Sequence, residues 1–176
     1  SEALGIRKIV EPVQDERDRF GFLGSGDLDG DGRDDLVTVT VRRPGEPGES
    51  VRLGLHWSPA VWASRPNLAR ADVAIDVASN AVPDAAAAGD VDGDGAADLV
   101  LSGQGGVDIV RGRSPWPAAI DLEPPDVHIA PGPAAAQLGD VTGDGRADLW
   151  LEFEAEGIDA ALILGRSVWP PVVDAL

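Results

Sequence analysis

The sequence predicts an all-β fold assembled from three successive units of four short strands. Two observations carry that expectation: an Asp/Gly-rich nonapeptide recurs three times, and each copy is followed by the same order of short alternating or apolar runs. Composition is the third. With 22 Gly and 14 Pro in 176 residues, turns are frequent and long helices have little room, while 43% hydrophobic residues suffices for a globular core.

The first nonapeptide is Asp27-Leu28-Asp29-Gly30-Asp31-Gly32-Arg33-Asp34-Asp35, and the others begin at Asp90 and Asp140. The spacings of 63 and 50 residues suit one four-stranded unit better than a helical repeat. Ahead of each loop stands a further strand, Phe20 to Leu23, Ala85 to Ala88 and Ala134 to Ala136, whose Ala and Gly are what a crowded central axis accepts. An Ala-rich run also suits a helix, but Gly-Asp interrupts each one within a few residues. After each loop comes a second strand, Leu36 to Val41, Leu99 to Leu101 and Leu149 to Phe153. A third follows at Val51 to Leu55, Val107 to Ile109 and Ala161 to Leu164. Each then leads to a polar turn with a tryptophan, Trp62, Trp116 or Trp169, and two copies continue into an outer strand at Val73 to Ile75 and Val127 to Ile129. The third copy stops short of that strand. Residues 5 to 10, Gly-Ile-Arg-Lys-Ile-Val, match Asp126 to Ile129 and are the candidate to supply it.

The nonapeptide also predicts chemistry. Carboxylates at its first, third, fifth and ninth positions converge, and a glycine at the sixth permits a bend that aims the seventh carbonyl at the same point. Such an oxygen set suits a hard cation, calcium above all. The three loops hold twelve carboxylates of a chain whose formal charge is −17. That balance argues against nucleic acid or an anionic membrane as partner, because phosphate binding needs a basic surface. Without cations the loops repel themselves, so metal is expected to stabilise the fold. An EF-hand ends its loop in a bidentate Glu at position twelve and flanks it with helices. Here that position is Thr38, Leu101 or Leu151, each within a strand-like run.

Zero cysteine excludes disulfides, thiolate zinc sites and cysteine nucleophiles. No apolar run reaches eighteen residues, so no membrane-spanning segment is expected. There is no signal-peptide pattern, and the lack of any Met reads as a processed or excised segment. His56 and His128 fall in different strands without Ser-His-Asp or metal-ligand spacing, so an enzyme is not expected.

The DxDGDGxxDL loop, with Phe20-Gly21 before its first copy and paired strands after it, resembles the FG-GAP repeat of integrin α-subunit β-propellers and their bacterial relatives. The resemblance implies a β-propeller of three four-stranded blades, about 19–78, 84–130 and 133–176, in one domain. It implies up to three calcium ions per chain. The ligands carried over are Asp27, Asp29, Asp31, Asp35 and the Arg33 carbonyl; Asp90, Asp92, Asp94, Asp98 and the Ala96 carbonyl; and Asp140, Thr142, Asp144, Asp148 and the Arg146 carbonyl. Thr142 replaces a carboxylate, so the third site is expected to be the weakest.

Three blades are too few for a ring, which takes about four to eight. A two-fold homodimer of six blades is therefore expected, each residue 5–10 strand completing the third blade of the other subunit. The reading of function is a calcium-stabilised binding, adhesion or scaffold unit, extracellular, at the cell surface or periplasmic, with a protein or glycan ligand. Ligand contacts are expected on the loops opposite the calcium, Arg42 to Ser50, Gly103 to Gly106 and Glu154 to Gly157. A lectin-like propeller using the repeated tryptophans as sugar platforms is the alternative, and a propeller-fold enzyme or accessory domain the weaker one. Trp57 and Trp150 are expected in the core.

Overall fold

The computed structural model describes residues 18–45, 47, 49–61, 67–68, 70–77, 85–103, 106–122, 124–130, 135–155 and 158–174. All regular structure among them is β. The first sheet takes β1 (Arg19–Gly26), β2 (Asp35–Arg42), β3 (Ser50–His56) and β4 (Val73–Val77) in sequential antiparallel order. In the second, β5 (Ala85–Gly89), β6 (Asp98–Gly103), β7 (Gly106–Val110) and, past β8 (Ala119–Asp121), β9 (Val127–Ala130) repeat that order. The third holds β10 (Ala135–Gly139), β11 (Asp148–Ala155) and β12 (Ile158–Ile163).

All three sheets depart from the expected four strands: among the described residues the third has three, and the first and second have five each. β8 adds to the first sheet as a fifth strand, parallel to β4, and β13 (Val172–Asp174) adds to the second in the same way beside β9. Each added strand comes from the unit that follows its sheet. The edge of one unit is thereby covered by the next, which disposes of unpaired backbone groups. The expected residue 5–10 strand lies outside the described residues.

Alternation along the strands places the core between sheets. Leu53, Leu55 and Ile75 of the first sheet pack with Leu99, Leu101 and Val110 of the second, together with Val37 and Trp116. Val100, Ile109 and Ile129, on the other face of the second sheet, pack with Leu149, Leu151 and Ile163 of the third. The innermost strands lie side by side, β1 against β5 and β5 against β10, with no comparable packing of β10 on β1 among the described residues. The second sheet thus offers one face to its predecessor and one to its successor. This places the three Asp/Gly loops at equivalent corners, between the first and second strands of their sheets.

Candidate metal centres

In loop 1 the backbone turns its N–H groups inward onto carboxylates. Asp27 accepts from Gly30 at 2.9 Å and Asp31 at 3.0 Å through Oδ1, and from Gly32 at 2.8 Å through Oδ2. Asp29 Oδ1 accepts from the Asp31 N–H at 3.0 Å, and Asp31 Oδ1 from that of Arg33 at 2.9 Å. Loops 2 and 3 repeat the pattern around Asp90 and Asp140. The glycines at the fourth and sixth positions make this winding possible, for Gly93 and Gly95 sit at φ of 80° and 90°, where a side chain is disfavoured.

The ninth aspartate has a second task that the sequence did not reveal. Asp35 is fully buried, and its two oxygens accept from Leu28 N–H at 3.0 Å and Ser58 N–H at 2.8 Å. Asp98 holds Val91 N–H at 2.9 Å and Gly112 N–H at 2.8 Å. Asp148 holds Val141 N–H at 2.9 Å and Gly165 N–H at 2.9 Å. Each therefore ties the start of its loop to the chain leaving the third strand. A clue was present in the placement of a charged residue immediately before an apolar strand.

The geometry brings some of the expected ligands together. Oxygens of Asp27, Asp29 and Asp31 lie within 4.8 Å of one another, as do those of Asp90, Asp92 and Asp98. Asp35 and Asp94 lie outside these two groups, whereas Asp98, which makes the same clamp as Asp35, belongs to the second. In loop 3, Thr142 bonds Asp140 through its hydroxyl at 3.4 Å, while Asp144 pairs with the Arg146 guanidinium at 2.8 Å. No three-carboxylate group forms there among the described residues. Arg33, Ala96 and Arg146, whose carbonyls complete the expected sets, each donate their own N–H to the fifth-position aspartate.

Electrostatics distinguishes the loops. Burial pushes the Asp98 carboxyl up to about 6, with Asp92 and Asp94 adding to the strain, even though Gly112 and Val91 donate to it. Burial also raises Asp92, with the charge of Asp94 adding to it. A cation would relieve both. Asp148, in contrast, is held below the usual carboxylate range, chiefly by the Gly165 N–H. Clustered carboxylates that are costly to ionise together are the donor chemistry that calcium fits.

The loops are braced by the unit that follows. Trp116 Nε1 donates to the Leu28 carbonyl at 2.6 Å, and Trp169 Nε1 to the Val91 carbonyl at 3.2 Å. Ala147 N–H and Arg166 N–H reach the Asp90 and Val91 carbonyls at 2.7 and 3.0 Å. A Cβ on Gly93 would come within 2.8 Å of Arg146 Nε, so loop 3 approaches loop 2 closely. Leu28 and Val91 are accordingly 0% and 1% exposed, whereas Val141, at the same place in loop 3, is 67% exposed.

Residues 90–151 match the family model of the FG-GAP-like repeat. The chain carries an FG-GAP-like repeat. The FG-GAP match opens on the first aspartate of loop 2, runs through β6, β7, β8, β9, β10 and loop 3, and ends within β11. No curated protein and no solved structure matched the chain in the parallel comparisons.

The remaining expectations divide. Trp116 and Trp169 are buried and spend their N–H groups on loop carbonyls, which leaves no open sugar-stacking face at either; Trp62 lies outside the described residues. Trp57 is half-buried beside the first core cluster, but Trp150 is 44% exposed. Its position in β11 faces away from the second sheet, which corrects the core assignment. His56 Nε2 lies 2.9 Å from Thr38 Oγ1, while Asp72 spends an oxygen on the Trp57 N–H rather than orienting the imidazole. His128 Nδ1 meets Asp108 at 2.7 Å. Of the expected ligand loops, the Arg42–Ser50 hairpin is described in most of its length, with Arg43 N–H on Asp18 at 3.2 Å. Residues 104–105 and 156–157 lie outside the described residues.

Proposed function

We propose that this protein is a calcium-stapled, propeller-like module that acts as a non-enzymatic binding, adhesion or scaffold unit in a calcium-rich setting such as the extracellular space, the cell surface or the periplasm. The observation that carries the reading is the convergence of Asp27, Asp29 and Asp31, and of Asp90, Asp92 and Asp98, at equivalent corners of two sheets. A sensor would couple its ion to an element free to move. Here the ninth aspartate and the following tryptophan tie each of the first two loops into the core, so the ion holds a corner. The FG-GAP match supports the propeller-like reading.

Calorimetric titration of the chelator-stripped chain tests the ion. Calcium binding at two sites, with a weaker third, is expected, and the strongest heat should vanish in Asp29→Ala or Asp92→Ala. Absence of saturable calcium binding in the wild type overturns the reading. The glycan alternative has less support, because two of the three repeated tryptophans are buried.

A further inference from the structure

Loop 3 grips loop 2 through its own ligand-bearing segment. The peptide that joins Arg146 to Ala147 is trans, so its N–H and its C=O point to opposite sides. The N–H donates to the Asp90 carbonyl at 2.7 Å. The C=O is the seventh-position oxygen expected as a ligand in loop 3, and the carboxylate of Asp90 belongs to the convergent group of loop 2. One peptide plane therefore stands between the two sets of donors.

A second link runs through the Arg146 side chain. Its stem lies over Gly93, where a Cβ would come within 3.3 Å of Cγ and 3.4 Å of Cδ, and Gly93 in turn donates to Asp90 Oδ1 at 2.6 Å. The guanidinium holds Asp144, the fifth-position carboxylate of loop 3, at 2.8 Å. Arg146 Nε is buried beside the glycine with no hydrogen-bond partner among the described residues, so packing is what seats this side chain on loop 2. Loops 1 and 2 lack both links. Gly30, the counterpart of Gly93, has nothing within 4 Å of where a Cβ would stand, and Ala96 takes the place of Arg146. Among the described residues no backbone hydrogen bond joins those two loops.

We infer that loops 2 and 3 form one paired cation site, in which filling loop 2 raises the affinity of loop 3, while loop 1 stands apart. The inference rests on the calcium reading above. Loop 3 lacks a carboxylate at Thr142, and its Asp144 is held by Arg146, so its donors are not gathered in advance. With loop 2 filled, the Asp90 carbonyl and Gly93 are fixed, and with them the Arg146–Ala147 peptide and the Arg146 stem. Loop 3 then loses less conformational freedom when its own cation arrives, which is positive coupling. Charge works in the opposite direction. Filled with a divalent cation, the four carboxylates of loop 2 keep two net negative charges; with Asp92 removed and no cation, three remain. Charge alone would make loop 3 bind more tightly when loop 2 is emptied, so the sign of the effect separates the two causes.

Calcium titration of the full chain, in about 0.15 M salt to screen the charge term, tests this. The amide resonances of Gly32, Gly95 and Gly145 report each loop separately, since each N–H donates to the first aspartate of its loop. In Asp92→Ala, with the Gly95 shift abolished, the Gly145 midpoint is expected to move to calcium concentrations on the order of tenfold higher. Coupling is reciprocal, so in Asp144→Ala the Gly95 midpoint moves by a similar factor. Asp29→Ala empties loop 1 and leaves the Gly145 midpoint in place. Should Asp92→Ala lose the far-UV circular dichroism of the fold, Asp92→Asn takes its place, because it keeps the acceptor that Asp92 Oδ1 offers the Asp94 N–H at 3.1 Å. A Gly145 midpoint that stays or falls in the loop 2 variant refutes the pairing and leaves the calcium reading intact. So does an equal rise in Asp29→Ala, or a Gly145 amide that calcium never shifts in the wild type. No calcium shift at any of the three loops removes the calcium reading and the pairing together.

Discussion

Replacing Trp116 separates what the following unit contributes to loop 1. Trp116 is 8% exposed, packs with Leu28, Val37 and Leu99, and donates to the Leu28 carbonyl at 2.6 Å. Trp116→Phe keeps most of the ring and removes the N–H, leaving a carbonyl beside a fully buried leucine unpaired. That costs about 1–3 kcal/mol. Trp116→Ala adds the loss of aromatic packing and a cavity, about 3–5 kcal/mol more. Urea unfolding in chelator reads both, and calcium titration of the Phe variant should show weaker binding at loop 1 with loop 2 unchanged. Trp169→Phe is the control at loop 2; its bond is longer, 3.2 Å, so its cost should fall at the lower end. A Trp116→Phe variant within about 0.3 kcal/mol of wild type would refute the bracing role of the indole.

Two further outcomes are expected. Thr142→Asp gives loop 3 the carboxylate it lacks and should tighten its calcium affinity on the order of tenfold, read by calorimetry, since charge count tunes such sites; unchanged affinity would show that Thr142 faces no ion. Burial holds the His56 imidazole below its ordinary value. The folded state then binds fewer protons than the unfolded chain, so the stability that His56 contributes is present at neutral pH and lost as pH falls below about 6.5. Urea midpoints at pH 7.5 and 5 should differ less for His56→Gln than for wild type, and equal differences would remove His56 from the pH response.

Much of this arrangement was legible because it rests on local pattern. The alternation of Val51, Leu53 and Leu55, or of Val107 and Ile109, has the period of a strand buried on one face, and it produced one. The Asp/Gly register announced loops whose backbone bends around carboxylates. What escaped notice depends on contacts between units. β8 and β13 are three residues each, Ala-Ile-Asp and Val-Val-Asp, too short for a period, and they become strands because an anchored tryptophan delivers them to a neighbour's edge. Trp150 reads as core by type, yet its parity in β11 sends it to the open face. The ninth aspartates look like ligands from their spacing, and only the fold shows that two backbone N–H groups already hold the oxygens of Asp35.

The central claim is that calcium holds the corners of these sheets, and the melting temperature with and without the ion tests it most directly. At a calcium concentration about a hundredfold above the dissociation constant, each filled site adds about 2.7 kcal/mol. Two such sites should raise the melting temperature of a chain of this length by roughly 10–20 °C over the chelated protein. A shift below about 2 °C, with calcium shown to be in excess, would contradict the account.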